Sequence, residues 1–314
     1  MKVCGPPNLV ISGQAVLTLG RADDTAIEGA IWYNKLLQRV QYTGLGSGAW
    51  STGGALNDSR YRLAGAGTQN AGLAFGGNTN IVEETCTEEY NGSSWSTGGA
   101  MIYGRYSLAG AGTQNAGLAF GGYRGGSVSC TEAYNGTSWS AAGAIITARC
   151  FLAGVGTQNA GLAFGGNPSS SYTEQYNGTS WSTGGALSTG RYGLAGAGTQ
   201  NASLAIAGNG GENCTEEYDG ISWSTGGALI TERNDSPGGA GAQNAGLVFG
   251  GNGGLSCTEE YNGTSWSAGG ALITGRCLLA GAGTFAKALA FGGLTPTRVA
   301  CTEEFTSVPV ICCF

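Results

Sequence analysis

Six tryptophans recur at nearly constant intervals, and no other feature narrows the possible folds so far. Trp50, Trp95, Trp139, Trp181, Trp223 and Trp266 are separated by 45, 44, 42, 42 and 43 residues. The clearest unit reads SWSTGGALSTGRYGLAGAGTQNASLAIAGNGGENCTEEYDGISW. Periods of this length belong to propeller blades and to some helical repeats. Glycine decides between them: 61 of 314 residues are Gly, and each would cost about 1 kcal/mol inside a helix. With 41% hydrophobic residues and 7 Trp, 13 Tyr and 9 Phe, the chain can bury enough apolar surface to fold.

Each unit reads as four short strands. LAGAGT and GLAFGG are separated by Gln-Asn (Gln69-Asn70, Gln114-Asn115), a tight turn. CTEEY is separated from the Trp segment by Asn-Gly and two small residues, a strong hairpin signal. Four strands per unit, arranged radially, make an all-β propeller. The order Arg105, Gly121-Gly122, Tyr134, Trp139 resembles the kelch repeat, as does Arg191, Tyr218, Trp223, where Ile206-Ala207-Gly208 replaces Phe-Gly-Gly. The resemblance spans about Trp50 to Phe305 and implies a kelch-like propeller of four-stranded blades, with Gly-Gly closing each second strand.

The blade count turns on the chain ends. Pairing Tyr42 with Trp50 and aligning Phe305 and Val310 with the Tyr and Trp positions gives seven outer hairpins, with Asn8–Tyr33 supplying a degenerate inner pair. Seven blades is the preferred count. The alternative is six, with the Trp50 strand completing the last blade and residues 1–45 as an appendage. Residues 1–57 are thus an N-terminal segment holding a degenerate blade or closing strands, and 58–314 hold six repeats.

Two polar positions recur in every unit. Arg60, Arg105, Arg149, Arg191, Arg233 and Arg276 each follow a Trp by ten residues, and Glu88, Glu132, Glu174, Glu216, Glu259 and Glu303 recur as faithfully. A carboxylate on a packed strand face needs a cation, and the stoichiometry is one to one. Structural pairing is therefore favoured over an anion-binding ring of arginines. Thr68-Gln69-Asn70 and its copies read as turns satisfied by their own backbone. The sequons at Asn91, Asn135, Asn177 and Asn262 read as hairpin turns, with Asp219 in the same place. The recurring Cys86, Cys130, Cys214, Cys257 and Cys301 read as small buried hydrophobes. A bridge from Cys4 to Cys312 or Cys313 stays open.

Several functions are excluded by composition. The chain has no His, which removes the usual general base, zinc ligand and Ser-His-Asp arrangement, and the copper-oxidase branch of kelch-like propellers needs such ligands. The Glu-Glu dipeptides place their side chains on opposite strand faces, where they cannot share a substrate. No enzyme activity, cofactor or metal is expected. A net charge of −6 with three Lys argues against nucleic acid, and no run of 18 apolar residues suits membrane insertion. The N-terminus, with Gly-Pro-Pro and no sustained apolar stretch, does not read as a secretory signal.

Sequence differences between units concentrate after each Gly-Gly. Tyr123, Arg124, Pro168, Glu212, Leu255, Pro296 and Arg298 in these loops are the candidate contact residues, joined by Arg62, Asn234 and Asp235. The segment AIEGAIWYNKLLQRVQYTG followed by GAW resembles a hairpin motif of bacteriophage tail-fibre and virion proteins, through Glu28-Gly29, Ile31–Asn34, Val40–Tyr42 and Trp50. That resemblance implies a structural or host-recognition component of a virion or other extracellular particle. The expected function is a non-catalytic scaffold that binds a protein partner or copies of itself. A lectin-like propeller binding a surface glycan is the alternative, although only Tyr123 supplies an aromatic in the loops.

Overall fold

The computed structural model describes residues 31–34, 39–45, 48–79, 82–307 and 309–313, with side chains described over 48–79 and 82–307. By its contacts the chain forms two units, Ala49–Thr306 and a second made of Met1–Gly48 with Ser307–Phe314. Among the described residues there is no helix. The larger unit is a β-propeller of six four-stranded antiparallel blades.

Blade 1 runs outward through Ala64–Thr68, Ala71–Phe75, Thr87–Tyr90 and Trp95–Thr97. The inner strands of blades 2 to 6 are Ala109–Thr113, Ala153–Thr157, Ala195–Thr199, Gly238–Ala242 and Ala280–Gly283. Each packs beside the next, and Ala280–Gly283 returns to Ala64–Thr68 to close the ring. Blade 6 takes its outer strand, Ala49–Thr52, from the N-terminal side, with Phe305 paired to Trp50.

The count is six rather than the preferred seven. Tyr42 does not form a hairpin with Trp50; it pairs with Ile31 and Cys312 in the smaller unit. There Ile31–Asn34, Arg39–Leu45 and Pro309–Cys313 form a three-stranded sheet, and Val310 lies opposite Gly44 instead of in a blade. Asn8 to Ala30 lie outside the described residues, as do Cys4 and the side chains of Cys312 and Cys313. Trp50 explains the outcome. Its indole donates to Thr258 Oγ1 of blade 5 at 2.9 Å and packs 4.8 Å from Phe249, partners it meets only as the outer strand of blade 6.

The innermost strands also limit the ring. A Cβ on Gly110 would stand 2.7 Å from the Gly65 carbonyl oxygen, and one on Gly281 2.5 Å from that of Gly239. Backbones approach so closely only without side chains, which is why the inner strand reads Ala-Gly-Ala-Gly. With Ala280–Gly283 packed beside Ala64–Thr68, six inner strands close the ring among the described residues.

Three side-chain bonds repeat across the blade interfaces. Each Trp indole reaches the Thr that opens the third strand of the preceding blade, as in Trp139 to Thr87 Oγ1 at 2.9 Å and Trp181 to Thr131 Oγ1 at 3.1 Å. Four of the third-strand tyrosines, Tyr90, Tyr134, Tyr218 and Tyr261, meet the second acidic or amide position of the preceding blade, whereas Tyr176 faces Ala133 there. Tyr134 donates to Glu89 Oε1 and Tyr90 to Glu304 Oε1, both at 2.6 Å, while Gln175 Nε2 donates to Tyr218. The Gln of the inner turn is not satisfied by its own backbone, contrary to expectation. Gln158 Nε2 crosses to the carbonyls of Gly117 and Tyr134 at 3.1 and 2.6 Å. Gln69, Gln114, Gln200 and Gln243 do the same. Blade 6 lacks this tie and packs Phe285 into the apolar cluster instead.

Candidate functional site

Every recurring Arg binds the recurring Glu of its own blade. The pairs are Arg60–Glu88, Arg105–Glu132, Arg149–Glu174, Arg191–Glu216, Arg233–Glu259 and Arg276–Glu303, with side chains 0–3% exposed. Each carboxylate also accepts the backbone N–H seven residues after a Trp, as Glu132 Oε2 does from Ile102 at 2.7 Å. Burial pulls the guanidinium pKa of Arg105 and Arg191 down, and the partner carboxylates oppose it. Cys86 and Cys257 lie against these guanidinium groups, 3.6 Å from Arg60 Nη1 and 3.2 Å from Arg233 Nη2. The five recurring cysteines are half-buried free thiols rather than fully buried ones. Buried pairs of this kind present no charge to a ligand, and they hold the loop before each inner strand against the third strand.

The loops on this face pair with one another. Tyr61 bridges Asn78, Tyr106 bridges Tyr123, Cys150 bridges Asn167, Tyr192 bridges Asn209 and Cys277 bridges Leu294. Tyr123 is half-buried, its ring 5.1 Å from that of Tyr106. Arg124 is exposed with its guanidinium 4.9 Å above the Tyr103 ring. Pro168 is exposed beside a groove of about 310 Å³ shared with Thr147 and Tyr172. Glu212 and Leu255 lend their carbonyls to the backbone N–H of Arg233 and Arg276. Pro296 borders a groove of about 490 Å³ between the loops of blades 6 and 1. Arg298 crosses that groove, donating to Ser59 Oγ at 3.1 Å and to the Thr79 carbonyl. It acts there as a strut between loops. Asn234 donates its N–H to Asn252 Oδ1. These candidates therefore share one face, but only some of them are free to meet a partner.

At the axis the face carries a feature the sequence did not announce. Arg62, Ser107, Phe151, Gly193, Ser236 and Leu278 occupy equivalent positions with φ between 48° and 62°. They are joined head to tail by backbone hydrogen bonds. Ser107 donates to Arg62, Phe151 to Ser107, Gly193 to Phe151, Ser236 to Gly193, Leu278 to Asp235 and Arg62 to Leu278, all at 2.8–3.0 Å. Blade 5 needs two left-handed residues, Asp235 and Ser236, because it holds one extra residue before its inner strand. Five of the six positions force a residue other than Gly into the left-handed region, which costs on the order of 1–2 kcal/mol apiece. The closed circle of bonds holds them there. The collar encloses a cavity of about 110 Å³ on the axis. Its only sequence trace is the departure at NDSPGG and the unmatched Arg62.

The opposite face is built from turns that use their own polar groups. Asn91 Oδ1 accepts the N–H of Ser93 and Ser94 at 3.0 and 2.9 Å, and Asn135, Asn177, Asp219 and Asn262 repeat the arrangement. Compared with known proteins, the chain matches no family model and no curated protein.

Proposed function

We propose that this protein is a non-catalytic propeller scaffold for protein–protein interaction or particle assembly, and that it works through the loop face around the axial collar. The observation that carries this reading is the division of labour between frame and loops. The charges repeated in every blade are consumed in buried pairs, whereas the residues that differ between blades gather on one face. Exposed Ile102, Ile146, Ile230 and Ile273, 45–64% accessible, stand at equivalent positions between blades and add apolar surface for a partner. The resemblance of the segment from Glu28 to Trp50 to a virion hairpin motif suggests placement in a virion or extracellular particle, with a protein or further copies of this chain as partner. Size-exclusion light scattering, cross-linking within the native particle and a glycan array test the proposal together. Self-association or a loop-face cross-link to a neighbouring protein supports it; glycan binding by a monomer with neither refutes it.

A further inference from the structure

We infer that the axial collar of the loop face is a receptor for a single carboxylate, donated by an acidic side chain or chain end of a protein partner, and that Arg62 and Ser107 hold it. This inference rests on the scaffold reading and specifies the partner's chemistry.

The two residues are neighbours in the collar, the Ser107 N–H donating to the Arg62 carbonyl at 2.8 Å. Both line the axial cavity. Arg62 Nε and Ser107 Oγ are buried atoms with no hydrogen-bond partner, and Ser107 is only 6% exposed. The six frame arginines also leave Nε unpartnered, so what points to an acceptor is the unused Ser107 hydroxyl, whose burial without a partner costs about 1–3 kcal/mol, next in the collar to a guanidinium that has no carboxylate. The Arg62 guanidinium takes part in no ion pair among the described residues, unlike the six arginines that serve the frame. Its plane is set by Phe151, Tyr61 and Tyr106, whose ring centroids lie 5.0, 5.5 and 5.6 Å from Cζ. Such stacking leaves the edge of the fork for a side-on carboxylate, with Nε–H and one Nη–H donating in parallel. The Ser107 hydroxyl supplies a third donor.

Size selects the ligand. A cavity of about 110 Å³ is well below the roughly 300–1,000 Å³ of small-molecule sites, so it admits the tip of a side chain rather than a whole metabolite or sugar. Asp235, exposed and joined to the collar through its carbonyl, carries a negative charge that opposes any anion bound there.

The test uses the full chain and acetate as probe, with acetamide as its neutral isostere. Titrations are followed through the arginine Nε–H resonances. Acetate is expected to shift the Arg62 signal saturably while leaving Arg298, already bonded to Ser59, in place; acetamide is expected to shift neither. Ser107→Ala should weaken acetate roughly tenfold, Arg62→Gln should abolish binding, and Asp235→Asn should tighten it. No saturable shift at Arg62, or an equal response to acetamide, overturns the inference without touching the scaffold reading, which light scattering and cross-linking judge separately. Should Arg62→Gln fail to fold, the comparison of acetate with acetamide on the unaltered protein still decides.

Discussion

The Arg149–Glu174 pair gives the sharpest test of how the frame is held. Both side chains are 1–3% exposed. Glu174 also accepts the N–H of Ile146 at 2.6 Å and of Thr147 at 3.3 Å, while Arg149 donates to the carbonyls of Thr147 and Ala163. Arg149→Met leaves a buried carboxylate that retains two amides, so its cost falls near the lower end of the range for a broken buried pair, about 3 kcal/mol. Glu174→Leu strands a guanidinium and two backbone N–H groups together and is expected to cost about 5 kcal/mol. The double variant removes both charges and should lose only about 5 kcal/mol in all, a coupling of about 3 kcal/mol. Equilibrium urea unfolding followed by tryptophan fluorescence measures each value, provided the slope with denaturant is unchanged. Loss of under about 1 kcal/mol in Arg149→Met, or strict additivity in the double variant, would refute the reasoning.

Other consequences are as specific. Gly110→Ala, whose Cβ would meet the Gly65 oxygen and Phe75 Cζ at 2.7 Å, should cost about 3 kcal/mol, whereas Gly126→Ala, with nothing within 4 Å, should leave the melting temperature unchanged. Gln158→Ala removes two donations across the interface of blades 2 and 3 and is expected to cost about 2 kcal/mol by thermal unfolding. Burial, reinforced by the bonds to Glu304 and Glu89, pushes Tyr90 and Tyr134 up to about 12. The unfolded chain loses these protons near pH 10 and the folded one later, so stability is intact below pH 10 and falls as pH rises to about 12; ultraviolet titration of phenolate, with unfolding monitored in parallel, checks the order. A chain beginning at residue 58 lacks Ala49–Thr52 and the Trp50–Thr258 bond, and should melt lower and more broadly than one beginning at residue 48.

Much of the blade was legible in the sequence because its strands obey local rules. Alternation in Thr-Glu-Glu-Tyr, the Gln-Asn and Asn-Gly turns and the small-residue inner strand each map onto the observed elements. That the recurring arginines and glutamates pair one to one followed from charge balance alone, although not that Arg149 takes the Glu174 of its own blade. What the sequence hid lies between blades. In a tandem repeat a bond to one's own unit and a bond to the neighbouring unit leave the same pattern, so Trp139 gave no sign that its partner was Thr87 rather than Thr131. Only irregularities break that degeneracy, such as Ala133 standing where Tyr176 would have met a carboxylate. The blade count was hidden for a related reason, since it depends on which strand the chain end finds. The axial collar was invisible because a backbone conformation, not a residue type, defines it: Arg62, Ser107, Phe151 and Leu278 share nothing but their φ.

The borrowed outer strand of blade 6 sets a timetable for the molecule. Ala49–Thr52 is made first, yet the strand it pairs with, Thr302–Thr306, leaves the ribosome some 250 residues later. Blades 1 to 5 can assemble as they emerge, but the circle stays open, with Trp50 and the flank of blade 1 uncovered, until Thr302–Thr306 has been made. Closing is therefore a single late event, and a chain cut short anywhere before Phe305 carries its own mark of incompleteness: a tryptophan strand with nothing to fasten to.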